Sequence, residues 1–498
     1  MIKQKVKKLN THLGELAVGQ SLKAKVTLGT LWLGGGSTFE QGLRFIRNMI
    51  LTRILAPEVF GIMAIILAVK MAVQSMTEVG IKKAVIQNPR GGEKTYLNGA
   101  WWLSLIRGIL IYVVAYFAIP WIANFYENPQ LTLLMRIGFL SILLDGLTSP
   151  RAYVAIKKMN FKHWMIIFHG GSALGIVTAV ILAFFMRNAW ALVIGLAVES
   201  LARCVLSYVV CPFCPGIHFN KRDLHALFKY VRGVFGLGIL YFIFMRADVF
   251  VIGKLCSRSD LGLYSMALAL AQTPFQLITA LMDQMAMPVF SKIQNDNQRI
   301  NQVIMLITAI ILYTCFPLLV FLILHGGDVL HLIYGAQYAR VAVPFALIFC
   351  TWLIRFCSMP IVQLYFALGR PELHRAFTGI RTICILVLIY HSVKWFGLVG
   401  AAAASLIAMI IGYIFQIIRL HKLTKLDLFK YSMIFIRTIA LSCFILIIWA
   451  VVHSSFVSTP IIRMIPGALG CLLVYSYFIF EMIKVKDKSE YTLVTPFK

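Results

Sequence analysis

The chain has 498 residues, 60% of them hydrophobic and 13% charged, with a mean hydropathy of +0.83. A soluble domain is about 45–50% apolar and about 25% charged, so the composition excludes a soluble globular protein and points to a polytopic membrane protein. Lysine and arginine number 47 against 19 acidic residues, a formal charge of +28; in so apolar a chain that surplus concerns the side of the membrane the charges occupy, not nucleic acid.

Residues 1–26 carry Lys3, Lys5, Lys7, Lys8, Lys23 and Lys25. No apolar core of about 7–15 residues precedes the first long apolar run, so they do not read as a signal peptide. Ile2, Val6, Leu9, Leu13 and Leu16 recur at spacings of three and four, which fits either a basic amphipathic helix on an anionic leaflet or a frayed tail.

A helix needs about 20 mainly apolar residues to cross a bilayer. Apolar runs read against polar punctuation give about fourteen spans: 27–51, 59–81, 98–119, 131–156, 164–186, 190–210, 231–253, 261–290, 302–325, 338–368, 376–391, 398–418, 431–452 and 462–483. The connections alternate in basic charge. One set holds Lys82, Lys83, Arg90 and Lys94, then Lys157, Lys158 and Lys162, then Lys221, Arg222 and Lys229, then Lys292 and Arg299, then Arg370 and Arg375, then Arg419, Lys422, Lys425 and Lys430. The other holds Arg53, Arg187, Lys254, Arg258 and Lys394. The positive-inside rule puts both termini with the first set, in the cytoplasm.

The outer connections are short, the longest being "HGGDVLHLIYGAQ" at 325–337. The segment "NPRGGEKTYLNG" (88–99) is not a phosphate-binding loop, so nothing in the chain supplies ATP-driven transport. Most cysteines sit in apolar runs as small hydrophobes. Cys211 and Cys214 lie near His218, too few ligands for a metal site, and no metal or cofactor is expected.

Shifting the sequence by 201 residues sets "TRILAPEVFGIMAIILA" (52–68) against "GKLCSRSDLGLYSMALA" (253–269). Arg53 then meets Lys254, Gly61 meets Gly262 and Ala68 meets Ala269. An even number of spans separates the copies, so the repeat is parallel, as in transporters built from two halves around a central site. The expected architecture is all-α. A six-helix bundle (27–210), a cytoplasmic linker (211–228) and a second six-helix bundle (229–425) precede two added helices (426–484) and a cytoplasmic tail (485–498).

Polar residues recur at helical spacing inside the apolar runs. Gly36, Glu40, Arg44 and Arg47 share one face of the first span, and Phe39, Leu43, Ile46 and Ile50 share another. Lys70, Gln74 and Glu78 repeat the pattern in the second, and Gln272, Gln276, Thr279 and Asp283 in the eighth. Such faces turn to protein or to a wet cavity, since lipid penalises them. Structural ion pairs, such as Glu40 with Arg44, are the plain alternative for any one residue.

For the set, sign decides. The basic residues in or at the edges of spans are Arg44, Arg47, Lys70, Arg107, Arg136, Arg151, Arg203, Arg246, Arg355, Arg381 and Arg437. The acidic ones are Glu40, Glu78, Asp145, Glu199, Asp248, Asp283 and Glu481. Complete pairing is impossible, and the surplus is nearly all arginine, whose planar fork suits phosphate. The expectation is a cationic cavity for an anionic substrate. Its candidate ligands are Arg44, Arg47, Lys70, Arg107, Arg136, Arg246, Arg355 and Arg381. Two residues apart on a helix is about 200° of rotation, so Arg246 and Asp248 face different surfaces; Arg246 is expected in the cavity.

The stretches "LAPEVFG" (55–61), "RADVFVIG" (246–253), "LGLYSMALALAQTPF" (261–275), "MPVFSKIQND" (287–296) and "ALGRPE" (367–372), in this order and spacing, resemble the polysaccharide-transporter branch of the multidrug/oligosaccharidyl-lipid/polysaccharide (MOP) exporter superfamily. The likeness is to Wzx-type flippases of the lipopolysaccharide, colanic-acid and teichuronic-acid type. It covers nearly the whole chain.

The resemblance implies a bacterial inner-membrane protein, and not an enzyme. It would carry an undecaprenyl-diphosphate-linked oligosaccharide repeat unit to the outer leaflet by alternating access, with membrane lipids and polysaccharide polymerase or export machinery as partners. Counter-transport of H⁺ or Na⁺ is left open, with Glu78, Asp145, Asp248 and Asp283 as the acidic candidates. Two rivals stand beside it. A multidrug (MATE-like) cation antiporter would prefer an acidic lumen. A membrane-embedded polymerase or glycosyltransferase would need a large outer loop.

Overall fold

The computed structural model describes residues 22–77, 81–158, 160–216, 237–453 and 460–487. All regular structure among them is helical. By length and composition seven helices are apolar enough to cross a membrane, or eight if one bent pair is a single span. The chain is a multi-pass membrane protein. The helices of the two longest polar faces, 22–54 and 258–292, fall outside that apolar set.

By packing, the chain forms two units, Met1–Ser265 and Met266–Lys498. The first contains α1 (Leu22–Ile54), α2 (Pro57–Thr77), α3 (Ile81–Gln87), α4 (Lys94–Phe125), α5 (Gln130–Gly146), α6 (Arg151–Lys157), α7 (Phe161–Met186), α8 (Ala189–Val210), α9 (Leu237–Leu255) and the start of α10 (Arg258–Lys292). The run expected at 131–156 is broken into α5 and α6, bent by 60° ahead of Pro150. Proline disfavours helix in the residue before it. The freed groups of Ser149 are taken up by α8: its N–H donates to Ser207 Oγ at 2.9 Å and its hydroxyl to the Cys211 carbonyl at 2.9 Å.

α7 and α8 make the tightest pair in this unit. Gly171, Gly175 and Gly195 lie in their interface, and a Cβ on Gly175 would strike Glu199 and the Gly195 carbonyl. Small residues let helices meet in a membrane, where no hydrophobic effect drives them together. Away from the core, Ile106, Leu110, Phe117 and Trp121 of α4 stand exposed, a surface suited to lipid.

The two glycines that the repeat equates touch each other. A Cβ on Gly61 would collide with the Arg258 carbonyl oxygen, and a Cβ on Gly262 with the Pro57 carbonyl oxygen. Pro57 and Arg258 are themselves 201 apart, so the contact is reciprocal between the copies. Beside it, Lys254 Nζ donates to Glu127 Oε1 and to the Phe125 carbonyl, both at 2.8 Å, and Arg258 donates to the Glu127 carbonyl at 3.2 Å.

Only 211–216 of the expected linker is described. It is held against the first unit: Trp102 Nε1 donates to the Gly216 carbonyl, Gly216 N–H to Asn98 Oδ1, and Arg151 to the Pro212 carbonyl. Cys211 is buried, Cys214 is exposed, and both are free thiols. Residues 1–21, the rest of the linker, Glu78 and the tail from 488 lie outside the described residues.

The second unit contains the rest of α10, α11 (Asn297–Tyr334), a 3₁₀ turn (Ala336–Val341), α12 (Ala342–Ala367), α13 (Pro371–Thr424), α14 (Leu428–His453) and α15 (Pro460–Asp487). The stretch 325–337, expected as the longest loop, is mostly helix: α11 continues to Tyr334. His325 and Leu330 are buried there, and Gly326 packs near Phe345 of α12. Of its polar residues, His325 lies on the buried face of the helix and His331 on the exposed one.

α13 is two helices. Gly397, at φ 54° and ψ −132°, breaks it between the runs expected at 376–391 and 398–418; that φ favours glycine. Pro317 interrupts the ladder of α11, and α15 covers the break. Tyr475 Oη donates to the Thr314 carbonyl at 2.7 Å and Phe478 stacks on Tyr313 at 4.6 Å. The added helices thus brace a kinked helix of the second unit.

Candidate functional site

The first unit holds a polar seam. It starts on α1, where Glu40 and Arg44 pair at 2.8 Å. Their face meets α7 and α8. Arg44 Nη2 also reaches Glu199 Oε1 at 2.9 Å, and Arg203 Nη2 reaches the same oxygen at 2.5 Å. The Ser172 hydroxyl sits between, 3.0 Å from both Glu40 Oε1 and Glu199 Oε1, and accepts from Arg203 at 2.7 Å. His169 Nδ1 lies 2.5 Å from Glu40 Oε2. Gly36 makes room for that ring, since a Cβ there would sit 3.0 Å from it.

The seam continues through Lys70 of α2, which is buried and lies 3.9 Å from Asp145 of α5. Glu199 and Arg203 are within electrostatic reach of Lys70, and Ser200 hydrogen-bonds the Asp145 carboxylate. Asp145 in turn faces a cavity of about 350 Å³, lined also by Gln74, Lys82, Ser104, Arg107 and Tyr153. The Asp145 side chain is deep in the unit yet 36% open, because its open side is the cavity.

Among the described residues, Arg44 pairs with Glu40, Arg203 with Glu199 and Lys70 with Asp145, and Arg107 and Lys82 stand on the cavity wall. Lys82 also stands 4.2 Å above the Trp164 ring. Tyr153, Ile111 and Ile142 give the wall apolar faces beside the polar ones. A pocket of this size takes one or two sugar rings or a short phosphate group.

The other sequence candidates are dispersed. Arg47 bonds Asn48 Oδ1 at 2.9 Å. Arg136 stacks over Tyr116 at 4.0 Å, with its Nε buried and unbonded. Asp248 is buried and accepts from Tyr264 Oη at 2.9 Å and from the Val249 N–H. Arg246, two residues away, is half-buried and within electrostatic reach of Asp248. In the second unit Arg355 lies over Trp352 at 4.7 Å, and Arg381 is buried among α12 and α13. Asp283 lies on α10, but its side chain, like all of Glu78, is outside the described residues.

His169, Ser172, Lys82, Ser104 and Tyr153 were not singled out from sequence. His169 and Ser172 are three apart on α7, and Glu199 and Arg203 four apart on α8. That spacing is the signal that sets them on facing stripes. Among the described residues no three His, Cys, Asp or Glu side chains gather into a metal-binding group.

A kinked, all-helical membrane unit with a charged seam and a wet pocket is a transporter architecture. The profile of the family described as "Polysaccharide biosynthesis protein" matches residues 50–343, and the chain belongs to that family. It is similar to the succinoglycan biosynthesis transport protein ExoT of Rhizobium meliloti, with 28% identity over 63% of each chain. It is also similar to the lipopolysaccharide biosynthesis protein WzxC of Escherichia coli, with 21% identity over 79% of this chain and 80% of the relative. A membrane protein of the cps region of Klebsiella pneumoniae matches at 25% over 78% and 81%.

Among solved structures, the fold matches the lipid II flippase MurJ in an inward closed conformation. The TM-score is 0.71 and the identity 16%, over 90% of this chain and 98% of that one. An inward-facing MATE transporter of the MOP superfamily matches at TM-score 0.59 and 15% identity, over 77% and 96%. The chain shares its fold with these two structures.

Proposed function

We propose that the chain is a flippase that moves an undecaprenyl-diphosphate-linked oligosaccharide repeat unit across the bacterial inner membrane during surface-polysaccharide synthesis. Membership of the polysaccharide biosynthesis family supports this, as do relatives named as polysaccharide transport and biosynthesis proteins. The observation that carries it is a pocket of about 350 Å³ whose wall sets Arg107 and Lys82 beside Gln74, Ser104, Asp145 and Tyr153. A drug-cation carrier needs the opposite sign. Arg107 would grip a phosphate oxygen with its fork, Lys82 would add a point charge, and Gln74, Ser104 and Asp145 would meet sugar hydroxyls beside the Tyr153 ring.

Both termini are read as cytoplasmic from the basic loops. The change of access runs between the two halves of the repeat. Asp145, Asp248, Glu78 and Asp283 are the candidates for coupling to H⁺ or Na⁺, and Arg47, Arg136 and Arg246 for further contacts with the head group.

The test is a flipping assay in liposomes with a fluorescent undecaprenyl-diphosphate oligosaccharide. Arg107→Ala is expected to lower the rate at least tenfold with insertion unchanged, and Arg107→Lys to keep part of it. Unchanged flipping in both would remove Arg107 from the site. No movement of any lipid-linked sugar by the unaltered chain, with uptake of a cationic drug instead, would overturn the function.

A further inference from the structure

Arg381 is a charge without a counterion among the described residues, in the core of the second unit. It lies on the first leg of α13, ten residues in from Pro371. The apolar run of this leg starts at 376, so Arg381 lies about 8 Å into a hydrocarbon core about 30 Å thick. Only 6% of the residue is exposed. Gly412 of the second leg lets it lie flat, since a Cβ there would strike Arg381 Cγ. Among the described residues, the ionisable groups within its electrostatic reach are Arg355, Tyr365 and Tyr413, and none of these is a carboxylate. His374 is within reach of both Arg355 and Arg381, so the neighbourhood gathers positive charge.

Its hydrogen bonds are incomplete in one sense only. Arg381 Nη2 donates to Ser358 Oγ at 3.0 Å and to Gln416 Oε1 at 3.1 Å, and Ser358 Oγ donates to the same Oε1 at 2.6 Å. Two donors converging on Oε1 fix the amide orientation and leave Gln416 Nε2 as a donor. Both Arg381 Nε and Gln416 Nε2 are buried with no partner. What the cluster lacks is an acceptor, and what the guanidinium lacks is a negative charge. Buried donors are almost always satisfied, by protein, water or an ion, and a charge inside the hydrocarbon core is retained only with compensation.

We propose that Arg381 and Gln416 bind a small monovalent inorganic anion of halide size, held by Arg381 Nε–H and Gln416 Nε2–H beside the Nη2–Oε1 contact. Water would satisfy the donors but not the charge. A phosphate would meet the charge, but it is larger, and the Tyr365 and Tyr413 side chains within reach of Arg381 are themselves buried. The anion lies where α12 meets both legs of α13 and ties the three helical segments together. This site is separate from the seam of the first unit and takes no part in the proposed transport chemistry.

The probe is bromide, and the sample is the purified full-length protein in detergent. Sodium gluconate is exchanged for sodium bromide at constant ionic strength and the melting midpoint is followed. The unaltered chain is expected to gain about 2 °C or more, saturably, and Arg381→Gln none. Crystals soaked in bromide are expected to show an anomalous peak beside Gln416 Nε2. Equal midpoints in the two salts overturn the site, as does a full bromide effect in Arg381→Gln. So does an ordered water or a lipid phosphate in place of the bromide peak. Where Arg381→Gln does not fold, the anomalous peak in the unaltered chain and its loss in Gln416→Leu decide. Neither readout measures transport, so the outcome is independent of the flippase reading.

Discussion

Glu199→Gln is the substitution that probes the seam most directly. It removes one of the two carboxylates that hold Arg44 and Arg203 while keeping the side chain's shape. Glu199 Oε1 is met by Arg44 at 2.9 Å, Arg203 at 2.5 Å and Ser172 at 3.0 Å. Removing one partner of a buried ion pair costs about 3–5 kcal/mol. The Arg44 and Arg203 side chains keep 30% and 22% of their surface open, and solvent screens that part, so about 2–3 kcal/mol is expected. Arg44 retains Glu40 and loses less than Arg203 does. Arg203→Met is expected to cost a similar amount alone and much less on the Glu199→Gln background, a coupling of about 1–2 kcal/mol. The assay is equilibrium unfolding in mixed micelles of the four proteins of the cycle. Single effects that add to within about 0.5 kcal/mol would refute the idea that Glu199 and Arg203 act as a coupled pair within the seam.

Gly262→Val would push a side chain into the Pro57 carbonyl; the folded, monodisperse fraction on size exclusion is expected to fall sharply, and Ser265→Val, one turn on, is expected to fall less. Tyr475→Phe removes the hydroxyl that donates to the Thr314 carbonyl beside the Pro317 break and is expected to cost about 1 kcal/mol in the same micelle unfolding. The hydrogen bond and charge of Lys254 hold the exposed Glu127 carboxyl below its ordinary value of 4.5. That contribution is present above pH 4.5 and lost as the pH falls below it. The melting midpoint should therefore drop more on acidification in the unaltered chain than in Glu127→Gln, and parallel curves would remove Glu127 as a cause.

Much of the fold was legible because apolar length and basic punctuation are local signals. The helix boundaries follow them to within a few residues at α7 and α8. Reading failed at 325–337, where glycine, histidine and aspartate suggested a loop. His325 and Leu330 are instead covered by tertiary contacts that no local pattern announces. The 60° bend ahead of Pro150 was similarly hidden, because its cost is met by Ser207, 58 positions on.

In the site, the face of Glu40 and Arg44 was visible from helical spacing, and so was the i, i+4 pairing. Glu199 entered only as a tally of charge. Its part in the seam depends on α7 and α8 meeting closely, which Gly171, Gly175 and Gly195 permit. Lys82 and Tyr153, which line the pocket, read in sequence as a loop cation and an apolar residue. Only the fold of α2 to α6 around the cavity sets them together.

The contact of Gly61 with Gly262 has the form of a two-fold dimer interface enclosed within one polypeptide. In such an interface residue i meets j and j meets i, and here j is i plus 201. A dimer of identical chains must change both faces at once, since one gene writes both. A duplicated chain is free to change one face alone, yet at this crossing the two have kept the same residue. Each glycine is confined by a main-chain carbonyl of the other copy, which no substitution can shorten. The crossing is symmetric in its main chain where the side chains around it differ between the copies.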